Sequence, residues 1–183
     1  MGNTSSDHTS PYHTIEGSLD AANKKFAIIA SRWHQSITEK LINGALTTLQ
    51  RYGAALENIT VIRVPGSFEI SCAAQAVAES GTADAIITLG LLVKGDTDHY
   101  ELIAREVAQG CTFVSTQFRI PVSFGVLTVH DMTHAEERAG GKHGNKGDEA
   151  ALAAIEMVSL LEKLAASSEG SQEAGGCCGH CHS

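Results

Sequence analysis

The sequence predicts an α/β fold: a three-layer α/β/α sandwich around a central four-stranded parallel sheet, flavodoxin-like in its layers. Short apolar runs alternate with helical segments four times along the chain. That alternation implies right-handed crossovers and a parallel sheet with helices on both faces. The run DAIITLG is β-branched and apolar enough to be a strand buried on both sides. The first three strand candidates each end in a loop rich in glycine, aromatic or acidic residues, and in open parallel sheets the carboxyl edge is where ligands bind. At 183 residues the chain is normally one domain, long enough to bury a full core.

Residues 1–13 read as an unstructured segment, and TIEGSLDAANKK as a short strand or arm leading into the first core strand, FAIIAS. Ser36 and Glu39 have capping-box spacing, and Ile37, Leu41, Ile42, Ala45, Leu46 and Leu49 then mark one helical face until Gly53. The second strand, ITVIRV, runs into Pro65 and Gly66, followed by a helix from about Phe68 to Ser80 that Gly81 closes. DAIITLG is the third strand and HYELIAREVAQG the third helix; CTFVST beyond it fits either a strand or a continuation of that helix. PVSFGVLTV is the fourth strand. Thr133 and Glu136 form a second capping-box pair opening HAEERAG, and GGKHGNKG separates it from a terminal helix, Asp148 to about Leu164. The expected organisation is a domain over 14–165 and a flexible Gly/Ser/Cys/His-rich tail over 166–183, with no internal repeat.

A formal charge of -8 and the lack of any basic run argue against nucleic acid or an anionic membrane as partner, which leaves small molecules. No apolar stretch approaches the roughly 20 residues of a membrane span, and MGNTSSDHTS lacks the pattern of a secretory signal. A soluble, cytoplasmic protein is expected. MGNTSS also fits the loose myristoylation pattern, which is too short to weigh much. Cys72 and Cys111 sit in apolar context and read as buried thiols. Cys177, Cys178 and Cys181 crowd the C-terminus with His180 and His182, but without a second spaced pair they read as a flexible tail with incidental metal affinity, and no metal site is expected.

Three loops, SRWH, PGSFE and GLLVKGDTDH, should share one sheet edge. Gly95, Asp96 and Thr97 lie where a strand turns into a helix, so free N–H groups there could cradle phosphate, with Lys94 adding positive charge. His99 could shuttle a proton near neutral pH. The competing reading makes Asp96 or Thr97 a helix cap and His99 a surface residue. Trp33 and Phe68 could hold a planar ligand or merely cover the core rim. Glu69 could bind hydroxyls or complement a helix dipole. Arg138, near Lys142, His143 and Lys146, suits phosphate; alternatively Arg138 and Lys146 pair with Glu136, Glu137 or Glu149. The convergence of several such groups at one edge favours a ligand site.

SRWH, VPGSFE, GLLVKGDTDHY, PVSFGVLT and ERAGGKHGNKG, in this order and spacing, resemble the lumazine synthase family over about Thr14 to Leu164. The resemblance implies condensation of 5-amino-6-(D-ribitylamino)uracil with 3,4-dihydroxy-2-butanone 4-phosphate to 6,7-dimethyl-8-ribityllumazine. Phosphate and water leave, and neither a metal nor an organic cofactor takes part. By position, Trp33 stacks on the pyrimidine, Ser67 and Phe68 line its pocket, and Glu69 binds the ribityl hydroxyls. Leu92 and Val93 hold the ring through backbone groups, beside Lys94. Gly95, Asp96 and Thr97 cradle the phosphate with Arg138, while His99 moves protons during imine formation and phosphate elimination. Phe124, Arg138 and Lys146 come from a neighbouring subunit. Trp33 stands where many relatives have phenylalanine, and Lys94 where many have arginine.

The resemblance further implies pentamers, and the GGKHGN turn resembles that of members forming a shell of twelve pentamers, with riboflavin synthase as a partner. The TIEGSLD segment would then add to a neighbour's sheet edge. Two other readings remain open. One is an archaeal-type riboflavin synthase, which the phosphate-directed residues disfavour. The other is a non-catalytic flavin-binding cage protein, which intact Arg138 and His99 disfavour. The CCGHCHS ending lies outside the family pattern.

Overall fold

Phe26–Ser31 (β1), Ile59–Val64 (β2), Ala85–Val93 (β3) and Val122–Val129 (β4) form one parallel sheet in the order β2-β1-β3-β4. The computed structural model describes residues 12–169. The expectations for residues 1–11, including the myristoylation pattern, and for the Cys- and His-rich ending lie outside the described residues. Phe26 stands in register with both Ile59 and Ala85, and β3 continues beside β4 to the pair Val93–Val129.

Helices cover both faces, because side chains alternate across a strand. Phe26, Ile28 and Ala30 point towards Gln35–Arg51 (α1) and Lys146–Glu169 (α5), where Leu41, Leu49, Ala151 and Ile155 are fully buried. Ala27 and Ile29 point the other way, towards Ile70–Ser80 (α2) and His99–Phe118 (α3), meeting Ile70, Ala74, Val107 and Val114. Each fully buried Leu or Ile contributes about 1.5–3 kcal/mol, so these two apolar layers dominate stability. The three-layer α/β/α arrangement expected from the alternation is the one observed.

Several boundaries differ from the sequence reading. Ser36 and Glu39 do not cap α1. His34 holds the N-cap position in left-handed backbone (φ 56°) with no side-chain cap, while Glu39 pairs with Arg63 of β2 at 2.5 Å. Nor do Thr133 and Glu136 cap the short helix Met132–Glu137 (α4); Asp131 does, accepting from the His134 N–H at 3.1 Å. α2 starts at Ile70, which leaves Phe68 and Glu69 in the turn before it. β3 takes in Leu91, Leu92 and Val93 because β4 offers partners that far along. CTFVST is helix, inside α3.

GGKHGNKG is not a plain linker. It folds as a hairpin, Ala139–Gly141 (β5) against Gly144–Asn145 (β6), with positive φ at Gly140 and Gly144. α5 begins at once after it and runs on to Glu169. Cys111 is buried, and burial raises its thiol pKa; Cys72, expected to be buried, is exposed on α2.

Residues 12–25, before β1, form an arm that pairs with no strand among the described residues. It lies along α5: the Ser18 N–H donates to Ser159 Oγ at 3.0 Å, Lys163 Nζ donates to the Glu16 carbonyl at 2.8 Å, and Lys24 pairs with Glu162. The Ala21 N–H donates to the Tyr52 carbonyl at the end of α1.

Replacing Leu41 by alanine should cost about 2–5 kcal/mol in urea unfolding, since the site is wholly buried between α1 and the sheet. Cys72→Ser should stay within about 0.5 kcal/mol of the parent. Similar losses in the two variants would contradict this assignment of core and surface.

Candidate functional site

Three strand ends build the site. After β1 the chain bends over the start of the β2–α2 loop: the Arg32 N–H donates to the carbonyls of Val64 (2.8 Å) and Pro65 (3.2 Å), and the Trp33 N–H donates to the Pro65 carbonyl (3.2 Å). The Trp33 ring then rests on bare backbone, for a Cβ on Gly66 would sit 2.8 Å from ring atoms Cε3 and Cζ3. Glu69 closes its own turn, its Oε2 accepting from the Gly66 N–H at 2.8 Å. A carboxylate has roughly four lone-pair sites, so acceptor capacity remains for a ligand.

Trp33 is 66% exposed and Phe68 54% exposed. A ring covering the core rim would be mostly hidden, so within one chain neither ring does that. Together with Ser67, Glu69, Leu92, His99 and Ile103 they line a cavity of about 320 Å³ at the carboxyl edge. Ile103 was not singled out in the sequence. It lies four residues beyond His99, hence on the same helical face, and that spacing was the available signal. Ser67 is buried, its hydroxyl donating weakly to the Leu91 carbonyl at 3.4 Å. Val93, one residue on from Leu92, packs against the opposite apolar layer and does not line the cavity.

Gly95, Asp96 and Thr97 are exposed just before α3. Neither Asp96 nor Thr97 is its cap; Asp98 holds that position and makes no side-chain cap bond. Lys94 is the one cation between positions 94 and 98 and is engaged, its Nζ 2.8 Å from Glu101 Oε1. That hydrogen bond raises the Lys94 pKa and lowers that of Glu101. With Asp96 and Asp98 alongside, the loop is net acidic.

Phe124, Arg138 and Lys146 do not reach this cavity within one chain. Phe124 packs against the α2/α3 layer. Arg138 Nη1 donates to the His143 carbonyl at 2.7 Å and Nη2 lies 3.1 Å from Glu149 Oε1, while Lys146 Nζ lies 2.9 Å from Glu149 Oε2. Those contacts, the Lys146 hydrogen bond first, hold the Glu149 pKa below the usual carboxylate range. Lys142 pairs with Glu137 at 2.9 Å. The basic cluster is thus neutralised by its own acids, as the alternative reading had it.

The cavity can hold a flat ring against Trp33 and Phe68, offer it an acid and an imidazole, and exclude water on its Leu92 and Ile103 side. None of its lining residues is a Lys or Arg. Among the described residues no group of three or more His, Cys, Asp or Glu is placed to hold a metal ion, and no helix is long and apolar enough to cross a membrane.

Residues 23–162 match the family model for 6,7-dimethyl-8-ribityllumazine synthase. A protein of that name from Prosthecochloris aestuarii (strain DSM 271 / SK 413) is 48% identical over 151 residues, covering 82% of this chain and 97% of its own length. One from Chlorobium phaeobacteroides (strain BS1) is 47% identical over 151 residues with the same coverage. A de novo designed Rossmann fold protein superposes with a TM-score of 0.36 and 16% identity over 62% of this chain and 91% of its own, a likeness too slight to argue from.

Trp33 is the only tryptophan, so its fluorescence reports the cavity alone. Gly66→Ala should push the ring off its seat, shifting its emission and changing its quenching by acrylamide while far-UV circular dichroism stays as in the parent. An unchanged Trp33 signal would show that the ring does not rest on Gly66.

Proposed function

The chain belongs to the 6,7-dimethyl-8-ribityllumazine synthase family, and from that premise we propose that it condenses 5-amino-6-(D-ribitylamino)uracil with 3,4-dihydroxy-2-butanone 4-phosphate. The products are 6,7-dimethyl-8-ribityllumazine, phosphate and water, and the chemistry needs no metal or organic cofactor. The observation that carries this reading is the cavity at the carboxyl edge, with two aromatic rings on its walls and Glu69 and His99 at its rim. The pyrimidine stacks on Trp33 against Phe68 and Ser67, its ribityl hydroxyls on Glu69 and its polar edge on the backbone near Leu92 and Val93. The amine attacks the ketone, and His99 takes and returns the protons that imine formation and phosphate loss require.

The phosphate sits at Gly95, Asp96 and Thr97, where the first N–H groups of α3 point outwards. That loop carries Asp96, Asp98 and Glu101 against Lys94, so a further cation is required. Arg138 and Lys146 of a second copy supply it, with Phe124 closing the ring pocket. The working unit is therefore an oligomer, a pentamer by family resemblance. The short β5–β6 hairpin favours a shell of twelve pentamers, in which the arm before β1 reaches a neighbour's sheet edge and riboflavin synthase is a partner. Phosphorylated substrates place the reaction in the cytoplasm. The domain spans 14–165.

Mixing the protein with both substrates should give lumazine fluorescence well above the spontaneous rate, and turnover no faster than spontaneous would overturn the assignment. Arg138→Ala should lower kcat/KM by about a hundredfold or more, because it anchors the phosphate and stabilises it as it leaves. His99→Ala should cost only about tenfold, since water replaces part of a proton shuttle. Equal or reversed losses would contradict these roles.

A further inference from the structure

Arg138 and Lys146, the cations the proposed reaction needs, stand at the two ends of the β5–β6 hairpin, Arg138 just before β5 and Lys146 just after β6. Their backbones are tied: the Lys146 N–H donates to the Arg138 carbonyl at 2.9 Å, and the Arg138 guanidinium reaches across to the His143 carbonyl. Where the hairpin goes, both cations go. Yet the hairpin has little apolar packing of its own, since residues 140–144 are exposed and Ala139 is its one core residue.

One side-chain amide fastens it to α1. Asn145 Nδ2 donates to the Lys40 carbonyl, inside α1, at 2.9 Å, and Asn145 Oδ1 accepts from the Gly147 N–H, in the first turn of α5, at 2.8 Å. Each end of the amide thus meets the kind of partner it can use, which fixes its orientation. The second bond is a helix cap, and serine can supply that as well. The first is a brace between elements and needs the longer amide donor. α1 makes room for it with Gly44: a Cβ there would lie 2.6 Å from Asn145 Cγ and Nδ2, and would also meet Asp148 Oδ1. Glycine is a poor residue for the middle of a helix, so its place in α1 fits a demand for close contact. Gly147 likewise lies against the Leu41 carbonyl, with no room for a side chain.

We infer that Asn145 is a positioning residue for phosphate recognition: by bracing the hairpin on α1 it sets the backbone from which Arg138 and Lys146 reach the phosphate of the four-carbon substrate. Asn145 touches no substrate and acts through the two cations. The inference rests on the function proposed above and adds to it the residue that aims the phosphate grip.

The test is steady-state kinetics with each substrate varied in turn, inhibition by inorganic phosphate, and titration of Trp33 fluorescence with 5-amino-6-(D-ribitylamino)uracil. Asn145→Ser keeps the cap and loses the brace. It should raise KM for 3,4-dihydroxy-2-butanone 4-phosphate and the inhibition constant of inorganic phosphate about three- to tenfold, with pyrimidine affinity within about twofold of wild type. Gly44→Ala leaves the hairpin sequence intact and pushes the amide off α1, so it should show the same one-sided loss. In chains already carrying Arg138→Ala, Asn145→Ser should add no more than about twofold, because most of its effect runs through that arginine. A general loosening of the fold would instead weaken both substrates alike. Wild-type phosphate constants in Asn145→Ser, equal losses for both substrates, or full additivity on Arg138→Ala would overturn the inference, while wild-type turnover left the functional reading standing. A wild-type protein that neither binds the pyrimidine nor turns over would overturn both.

Discussion

The site depends on one local constraint: the loop after β1 is fastened to the loop after β2. The carbonyls of Val64 and Pro65 take the N–H groups of Arg32 and Trp33, and Glu69 ties down Gly66 beneath the Trp33 ring. Each hydrogen bond contributes only about 0.5–1.5 kcal/mol net. Their value is geometric, because they hold a large ring at the edge of the sheet where its own hydrophobicity would otherwise fold it inwards. Proline suits position 65, since the turn uses its carbonyl and needs no N–H from it. The register of β1 between β2 and β3 brings this pair of loops alongside the start of α3, and His99 enters the same cavity.

On the proposed function, the distribution of charge is what makes one chain half a site. The cavity has aromatic walls, an acid and an imidazole, but the cations suited to a phosphate lie elsewhere, on Glu149. Those ion pairs are a third to nearly half exposed, and pairs of that kind contribute about 1 kcal/mol or less. A doubly charged phosphate at a subunit boundary competes well against one carboxylate on such terms. On that proposal, releasing Arg138 and Lys146 from Glu149 would cost little.

Much of this was legible in the sequence, where the physics is local. FAIIAS and ITVIRV are strands over the residues read from their apolar pattern, and Gly81 ends α2 in left-handed backbone (φ 62°). The misreadings share a cause, which is a partner distant in sequence. Glu39 has capping-box spacing, yet Arg63 on β2 draws it away; Leu92 and Val93 look like loop until β4 pairs with them. Cavity residues Trp33, Phe68, Glu69, Leu92 and His99 could be named from strand-end loops alone. Ile103 lies inside α3 and not in a loop, and only its spacing of four from His99 signalled it.

A pocket shared between two copies is the claim on which the rest turns, and mixed oligomers test it. Chains carrying Trp33→Ala with Glu69→Ala lack the ring side of the pocket, and chains carrying Arg138→Ala lack the phosphate grip. Each should be nearly inactive alone. Dissociated and reassembled together at equal amounts, they should regain about a quarter of wild-type activity, since about one boundary in four then joins an intact pocket to an intact arginine. A mixture no more active than the sum of its parts would place both halves of the site in one chain and contradict the account.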